Sequence, residues 1–295
     1  MEKGDAFLKA LPESIAAASA RWGLTGVHPA SNLSYNFVAF AKYGQEQVVL
    51  KMGVLGSEMG SEMAALRLFN GEGACRLIDY DDEKYWMLLE RLNPGVMLST
   101  LGDDQEATHI AAEVMQKIWR FDDQAISTPL RSVRDQFIKL TDWFDGLKEL
   151  RAMFHGRTGP LDERLVDRVE SSVKDFFIEN HYPVLMHGDF HHFNILSSER
   201  GWLIIDPKGV IGPAGYEVGP FLMNPWGDLL SRIDYRGITK RRIDILHERL
   251  GFERERIREW GLAHAVLSAW WGIEDNTGWE YSLAFAEMLA DVDLK

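Results

Sequence analysis

The residues able to do chemistry crowd into one stretch, LMHGDFHHFNILSSERGWLIIDPKG from Leu185 to Gly209, which holds three histidines, two aspartates and one asparagine between apolar flanks. Packing alone does not call for that density. Asp189 precedes Asn194 by five positions, and Asp206 closes the strand-like run WLII. A loop and a strand end could therefore bring three side-chain oxygens to one point. Such a set suits Mg²⁺, which takes one or two protein oxygens and completes its shell with substrate phosphates, while a spare carboxylate accepts a proton from an attacking hydroxyl.

His187-Gly188-Asp189 with Asn194 also fits the H-x-D…N pattern of a phosphoryl-transfer catalytic loop. On that template Asp189 is the catalytic base, Asn194 and Asp206 are metal ligands, and His187 is a structural residue beneath the loop. Pro207-Lys208 stand where protein kinases carry Phe-Gly, which argues against a mobile Phe switch and for a constitutively active enzyme. A nucleotide also needs cationic help, and Lys51 ends the β-rich run QVVLK as the lysine that pairs the α- and β-phosphates does. Its expected carboxylate partner lies on the next helix. Glu58 and Glu62 both qualify, and Glu62, heading EMAALRLF, has the better context. No glycine-rich phosphate loop is present. SNLSYNF stands in its place, and Ser34 is the candidate phosphate contact.

These side chains must be held by larger elements. YNFVAFAKYG and QEQVVLKMGV flank a turn at Gly44, EKYWMLLERL is a third strand candidate, and a helical stretch runs from Ser57 to Asn70. Beyond residue 91 the pattern becomes helical, at about 103–121, 132–153, 161–180, 236–250, 253–272 and 278–291, with short strands near 183–187, 194–197 and 202–206. The expectation is an α+β protein: an antiparallel sheet plus helix over 1–91, a nucleotide-binding lobe, and a larger mainly helical lobe over 92–295 for catalysis and acceptor binding. A net charge of −13 repels nucleic acid and anionic lipid. No apolar run reaches a membrane span, the amphipathic N-terminus lacks the features of a signal peptide, and Cys75 is the sole cysteine. A soluble cytoplasmic protein is expected.

VVLK, SEMAALRLF, GACRLIDYD, LLERLNPG, LMHGDFHHFNIL, IIDPKG and PAGYEVGPFLMNP together resemble the aminoglycoside phosphotransferase/choline kinase superfamily over about residues 30–230. DPKG followed by YEVGPFLMNP looks narrower, similar to the streptomycin 6-phosphotransferase and hydroxyurea-resistance kinase branch. The resemblance implies a two-lobe protein-kinase-like fold and ATP as donor, with Glu90 to Leu92 as the hinge offering backbone hydrogen bonds to adenine. Many branch members read HGDLHHDN, so Phe193 replaces an acidic residue here.

Two other classes compete. A dinuclear metal hydrolase would use His187, Asp189, His191, His192 and Asp206, but it leaves Lys51, Glu62 and Asn194 unemployed. A pure binding module would be expected to lack the base or a metal ligand, and neither is missing. From Glu259 to Asp293 the chain has no Lys or Arg. Glu274, Asp275 and Glu280 lie there beside Trp270, Trp271 and Trp279, a set suited to a cationic acceptor. The expected function is ATP- and Mg²⁺-dependent phosphorylation of a hydroxyl on a small molecule, an aminoglycoside such as streptomycin, with hydroxyurea or another metabolite as the alternative.

Overall fold

The computed structural model describes residues 2–31, 36–54, 57–119, 134–179, 182–225 and 227–294. Its first part is an antiparallel sheet of five strands, β1 (Leu24–Pro29), β2 (Phe37–Tyr43), β3 (Glu46–Met52), β4 (Leu77–Asp81) and β5 (Trp86–Glu90), in the order β1-β2-β3-β5-β4. Gly44, at φ 61, makes the left-handed turn between β2 and β3. Because side chains alternate along a strand, Val48, Leu50 and Met52 point to one face with Trp86 and Leu88. The helix α1 (Glu2–Trp22) covers that face through Phe7, Leu11, Ile15, Ala18 and Trp22, spaced three or four apart. The other face carries Val49, Lys51, Met87 and Leu89 and joins the main core through α2 (Ser57–Phe69), which buries Met59, Met63, Leu66 and Phe69.

The rest is helical around two small sheets. β6 (Pro94–Met97) pairs with β9 (Ile195–Ser198), which pairs with β10 (Gly201–Ile204). β7 (Ile138–Lys139), β8 (Val184–Met186) and β11 (Val210–Gly212) form the other, with β11 central. The longest helix of this part, Arg254–Glu274, is buried on nearly all sides from Trp260 to Ala269 and packs on the helices Glu163–Glu179, Val218–Met223 and Glu280–Ala290. Among the described residues no helix is long and apolar enough to cross a membrane.

Two sequence expectations need correction. β1 and β4 extend the sheet beyond the three strands foreseen. The run 132–153 is not one helix: its described part is a short turn, the two-residue strand β7, and helices Leu140–Phe144 and Gly146–Met153. Pairing overrode propensity there, since Ile138 and Lys139 lie beside Val210 and Ile211 in a parallel ladder. At the second helix start, a side chain at Gly146 would meet Trp270 Nε1 at 2.7 Å.

Candidate active site

The loop after β8 carries His187, Gly188 and Asp189, and its shape is fixed from below. Gly188 has φ +86, and a Cβ there would lie 2.4 Å from Val210, so only glycine fits between the two functional residues. The Asp189 N–H donates to His187 Nδ1 at 3.1 Å, which makes Nδ1 an acceptor, and His187 Nε2–H then donates to the Ile205 carbonyl at 2.9 Å. Burial pushes His187 down to about 4, so the ring is neutral and structural, as its position beneath the loop suggested. No motif marks Glu217, yet its fully buried carboxyl group accepts the His187 N–H at 2.7 Å and the Gly188 N–H at 2.9 Å. Its only signal was a lone acid inside the apolar run YEVGPFLM.

Asp189 is half-buried at the head of this loop, its Oδ1 3.5 Å from His191 Nε2. Burial alone would raise its pKa. The charge and hydrogen bond of His191, with the field of Lys208, outweigh that and hold the carboxyl well below the usual range, so it is ionised and ready to accept a hydrogen bond. Asn194 is buried, donates through Nδ2 to the Asp189 carbonyl at 3.1 Å, and accepts the Ile205 N–H on its own carbonyl at 3.0 Å. That last bond places Asn194 beside the residue preceding Asp206.

Asp206 has φ 58, a left-handed conformation that an aspartate tolerates better than most side chains at about 1–2 kcal/mol. Its Oδ1 accepts from Lys51 Nζ at 2.5 Å, and the same ammonium donates to Glu62 Oε1 and Oε2 at 2.6 and 2.7 Å. Lys51 is 5% exposed, and although burial works against its charge, the two carboxylates outweigh that and hold it firmly protonated. The structure thus pairs Lys51 with Glu62, while Glu58 is exposed and sits 3.8 Å from Lys208 Nζ. Ser61 Oγ donates to the Gly209 carbonyl at 2.7 Å, tying α2 to the Asp206 segment.

The remaining nucleotide-side candidates lie apart from this cluster. Val48 opposes Glu90 where Lys51 opposes Met87, so Glu90 is three positions, about 10 Å, along the sheet from the ion cluster. Glu90 accepts the Arg76 N–H at 3.0 Å and pairs with Arg200, and Leu92 is buried in the main core. Ser34 falls outside the described residues.

Next to Asp189 opens a cavity of about 650 Å³, lined by Trp143, His191, Lys208, His264, Trp271, Glu274 and Asp275 among others. The Trp143 and Trp271 rings meet edge to face at 5.3 Å. His264 Nδ1 lies 2.9 Å from Tyr216 Oη, and burial lowers its pKa to about 4, so it is a neutral part of the wall. Glu280 is not brought here, because its Oε2 accepts the Trp279 N–H at 3.0 Å. Trp270 is likewise a core residue. Trp143, Lys208 and His264 join the site without having been foreseen: Trp143 and His264 come from helices remote in sequence, while Lys208 lay within DPKG itself.

The donor set bears on the metal. Among the described residues no three or more His, Cys, Asp or Glu side chains converge as metal ligands. His187 is committed to Ile205, and His192 is buried flat against Phe221 at 4.3 Å, beside Arg242. That disposes of the hydrolase arrangement. One carboxylate and one amide fit a hard cation that finishes its coordination with phosphate oxygens.

The model of the aminoglycoside/hydroxyurea antibiotic resistance kinase family matches residues 25–276. A streptomycin 6-kinase of Streptomyces glaucescens is 30% identical, covering 94% of this chain and 87% of its own. A hydroxyurea phosphotransferase of Kitasatospora aureofaciens is also 30% identical, covering 92% of this chain and 76% of its own. A solved choline/ethanolamine kinase family protein from Mesorhizobium loti superposes with a TM-score of 0.64 at 13% identity, over 94% of each chain, which shows the fold. The chain belongs to the aminoglycoside/hydroxyurea antibiotic resistance kinase family and is a phosphotransferase acting on a hydroxyl group of a small molecule.

Proposed function

We propose that this kinase transfers the γ-phosphoryl group of ATP to a hydroxyl of a cationic aminoglycoside of the streptomycin type, in the cytoplasm, with the nucleotide held between residues 1–91 and 92–295. The observation that carries the acceptor class is the cavity beside Asp189, which Glu274 and Asp275 line together with Trp143 and Trp271. Carboxylates and aromatic faces bind guanidinium and ammonium groups, the former in bidentate fashion. Slight desolvation, then the charges of Glu149 and Asp275, raise the pKa of Glu274, and a bound cation would offset that charge. Hydroxyurea, which is uncharged, leaves that pair uncompensated.

In this reading Asp189 accepts a hydrogen bond from the acceptor hydroxyl, orients its oxygen and takes its proton as the new P–O bond forms. The P–O bond to the bridging oxygen breaks, and its electron pair leaves with ADP. Lys51, fixed by Glu62, faces the α- and β-phosphates, and the Glu90–Leu92 segment takes the adenine edge. Asn194 and Asp206 would hold Mg²⁺, which when bound neutralises phosphate charge. The test is acceptor-dependent ADP release across streptomycin, other aminoglycosides, hydroxyurea and choline. Release with streptomycin is expected; release with hydroxyurea alone would overturn the cationic-acceptor reading and leave the kinase intact.

A further inference from the structure

We infer that Lys208 is a second phosphate-facing cation of this kinase, meeting the transferred γ-phosphoryl group from the acceptor side while Lys51 serves the nucleotide side. The inference rests on the ATP site proposed above and adds a residue to it. It starts from an imbalance of charge. The cavity beside Asp189 is lined by Asp189, Glu58, Glu274 and Asp275, and among its described lining residues Lys208 is the sole lysine or arginine. A phosphoryl group that crosses into so acidic a space needs a positive partner there.

Lys51 is poorly placed to follow it. Its ammonium is tethered to Glu62 and Asp206 and lies buried on the sheet face, on the nucleotide side of the loop. Lys208 is anchored by its backbone and only lightly held at its tip. Its N–H donates to the His187 carbonyl at 2.7 Å, and the following Gly209, at φ +65, is wedged against Ser61 so tightly that a Cβ would lie 2.5 Å from the Ser61 carbonyl. The chain therefore starts the Lys208 side chain from one fixed point, two residues after Asp206 and bonded to the loop of Asp189. Among the described residues its ammonium has a single loose ion pair, 3.8 Å from Glu58, whose side chain is 73% exposed. Pairs of that kind contribute little and exchange readily for a more highly charged partner. As the bond to the acceptor oxygen forms and the bond to ADP breaks, Lys208 keeps contact with the equatorial oxygens of the moving group. No proton leaves it.

Calorimetric binding of Mg·AMP-PNP and Mg·ADP separates this role from others, because only the first carries a γ-phosphoryl group. In Lys208→Met the affinity for AMP-PNP should fall about tenfold with ADP changed less than twofold, and Lys208→Arg should recover most of the loss. Glu58→Gln, which removes only the ion pair, should leave both affinities in place. Streptomycin-dependent turnover of Lys208→Met should fall by about 10²-fold or more. Equal weakening of both nucleotides, or no change in either, would overturn the assignment. A wild-type protein that binds neither nucleotide would instead overturn the ATP site itself, and Lys208 with it.

Discussion

The nucleotide side and the acceptor side of Asp189 are built on opposite plans. On one side Lys51, Glu62 and Asp206 form a cluster whose lysine and glutamate are nearly dry, with the lysine bridging the two carboxylates. On the other, Glu274 and Asp275 are exposed on the rim of an open cavity with tryptophan walls. A buried ion pair is expensive to assemble and tolerates one geometry, which suits a donor that never changes. Exposed acids on a helix end can be replaced at small cost, which suits the part of an enzyme that selects among acceptors.

The contrast can be broken at its pivot. Asp189→Asn keeps the loop but removes the proton acceptor, and turnover is expected to fall about 10²–10⁴-fold with ADP affinity nearly unchanged, as steady-state kinetics and calorimetry would show. Activity within a few-fold of wild type would remove Asp189 as base. Next in size, Lys51→Met leaves the buried Glu62 without its partner, an effect of about 3 kcal/mol that should lower the unfolding midpoint by roughly 10 °C. Adding Glu62→Gln should restore much of the stability but none of the ATP affinity.

The support beneath the loop offers a pH signature. Burial pushes Glu217 up to about 8 from 4.5, although the two N–H groups it accepts pull the other way. The folded state therefore binds this proton more tightly than the unfolded state, so stability owed to Glu217 is full below about 4.5 and is lost as pH rises to about 8. Glu217→Gln does not titrate, and the wild-type advantage in urea midpoint should shrink between pH 5 and pH 8. An advantage that grows with pH would contradict the sign.

The smallest effects should come from the rim. Glu274→Gln with Asp275→Asn should raise the streptomycin KM about tenfold with the ATP KM unchanged. Glu280→Gln, whose parent carboxylate turns back onto the Trp279 N–H, should shift neither by more than about twofold. An equal effect from Glu280 would blur the boundary of the acceptor site drawn above.

The same contrast explains what could be read in advance. His187, Asp189, Asn194 and Asp206 sit within a short segment, and Lys51 and Glu62 are separated by one strand end and one helix start, so spacing alone groups them. Glu62, preferred over Glu58 for heading EMAALRLF, is the carboxylate that meets Lys51, one turn beyond Glu58 on α2. Glu217, Trp143 and His264 reach the site from three separate helical elements, and only packing brings them together. Glu274, Asp275 and Glu280 read alike in sequence, but the last opens a helix and serves its own backbone. The break in 132–153 was hidden for a similar reason, since a ladder with Val210 and Ile211 decides it.

The two faces of the five-stranded sheet belong to different cores, and only the face away from α1 bears Lys51. Helix α1 is fastened at its end by Trp22 Nε1 to Asp79 at 2.8 Å and by Arg21 to Asp81 at 2.7 Å, with Trp22 edge-on to Trp86. Trimming the chain up to Trp22 would strip the cover from Phe37, Val48, Leu50, Met52 and Leu88 and touch no residue of the ion cluster. Such a shortened protein would present a broad greasy sheet to its neighbours, and faster growth in light scattering than for the full chain is the expected result. The opening helix is in that sense a shelf-life element, and a recombinant enzyme meant for concentrated solution should keep it whole.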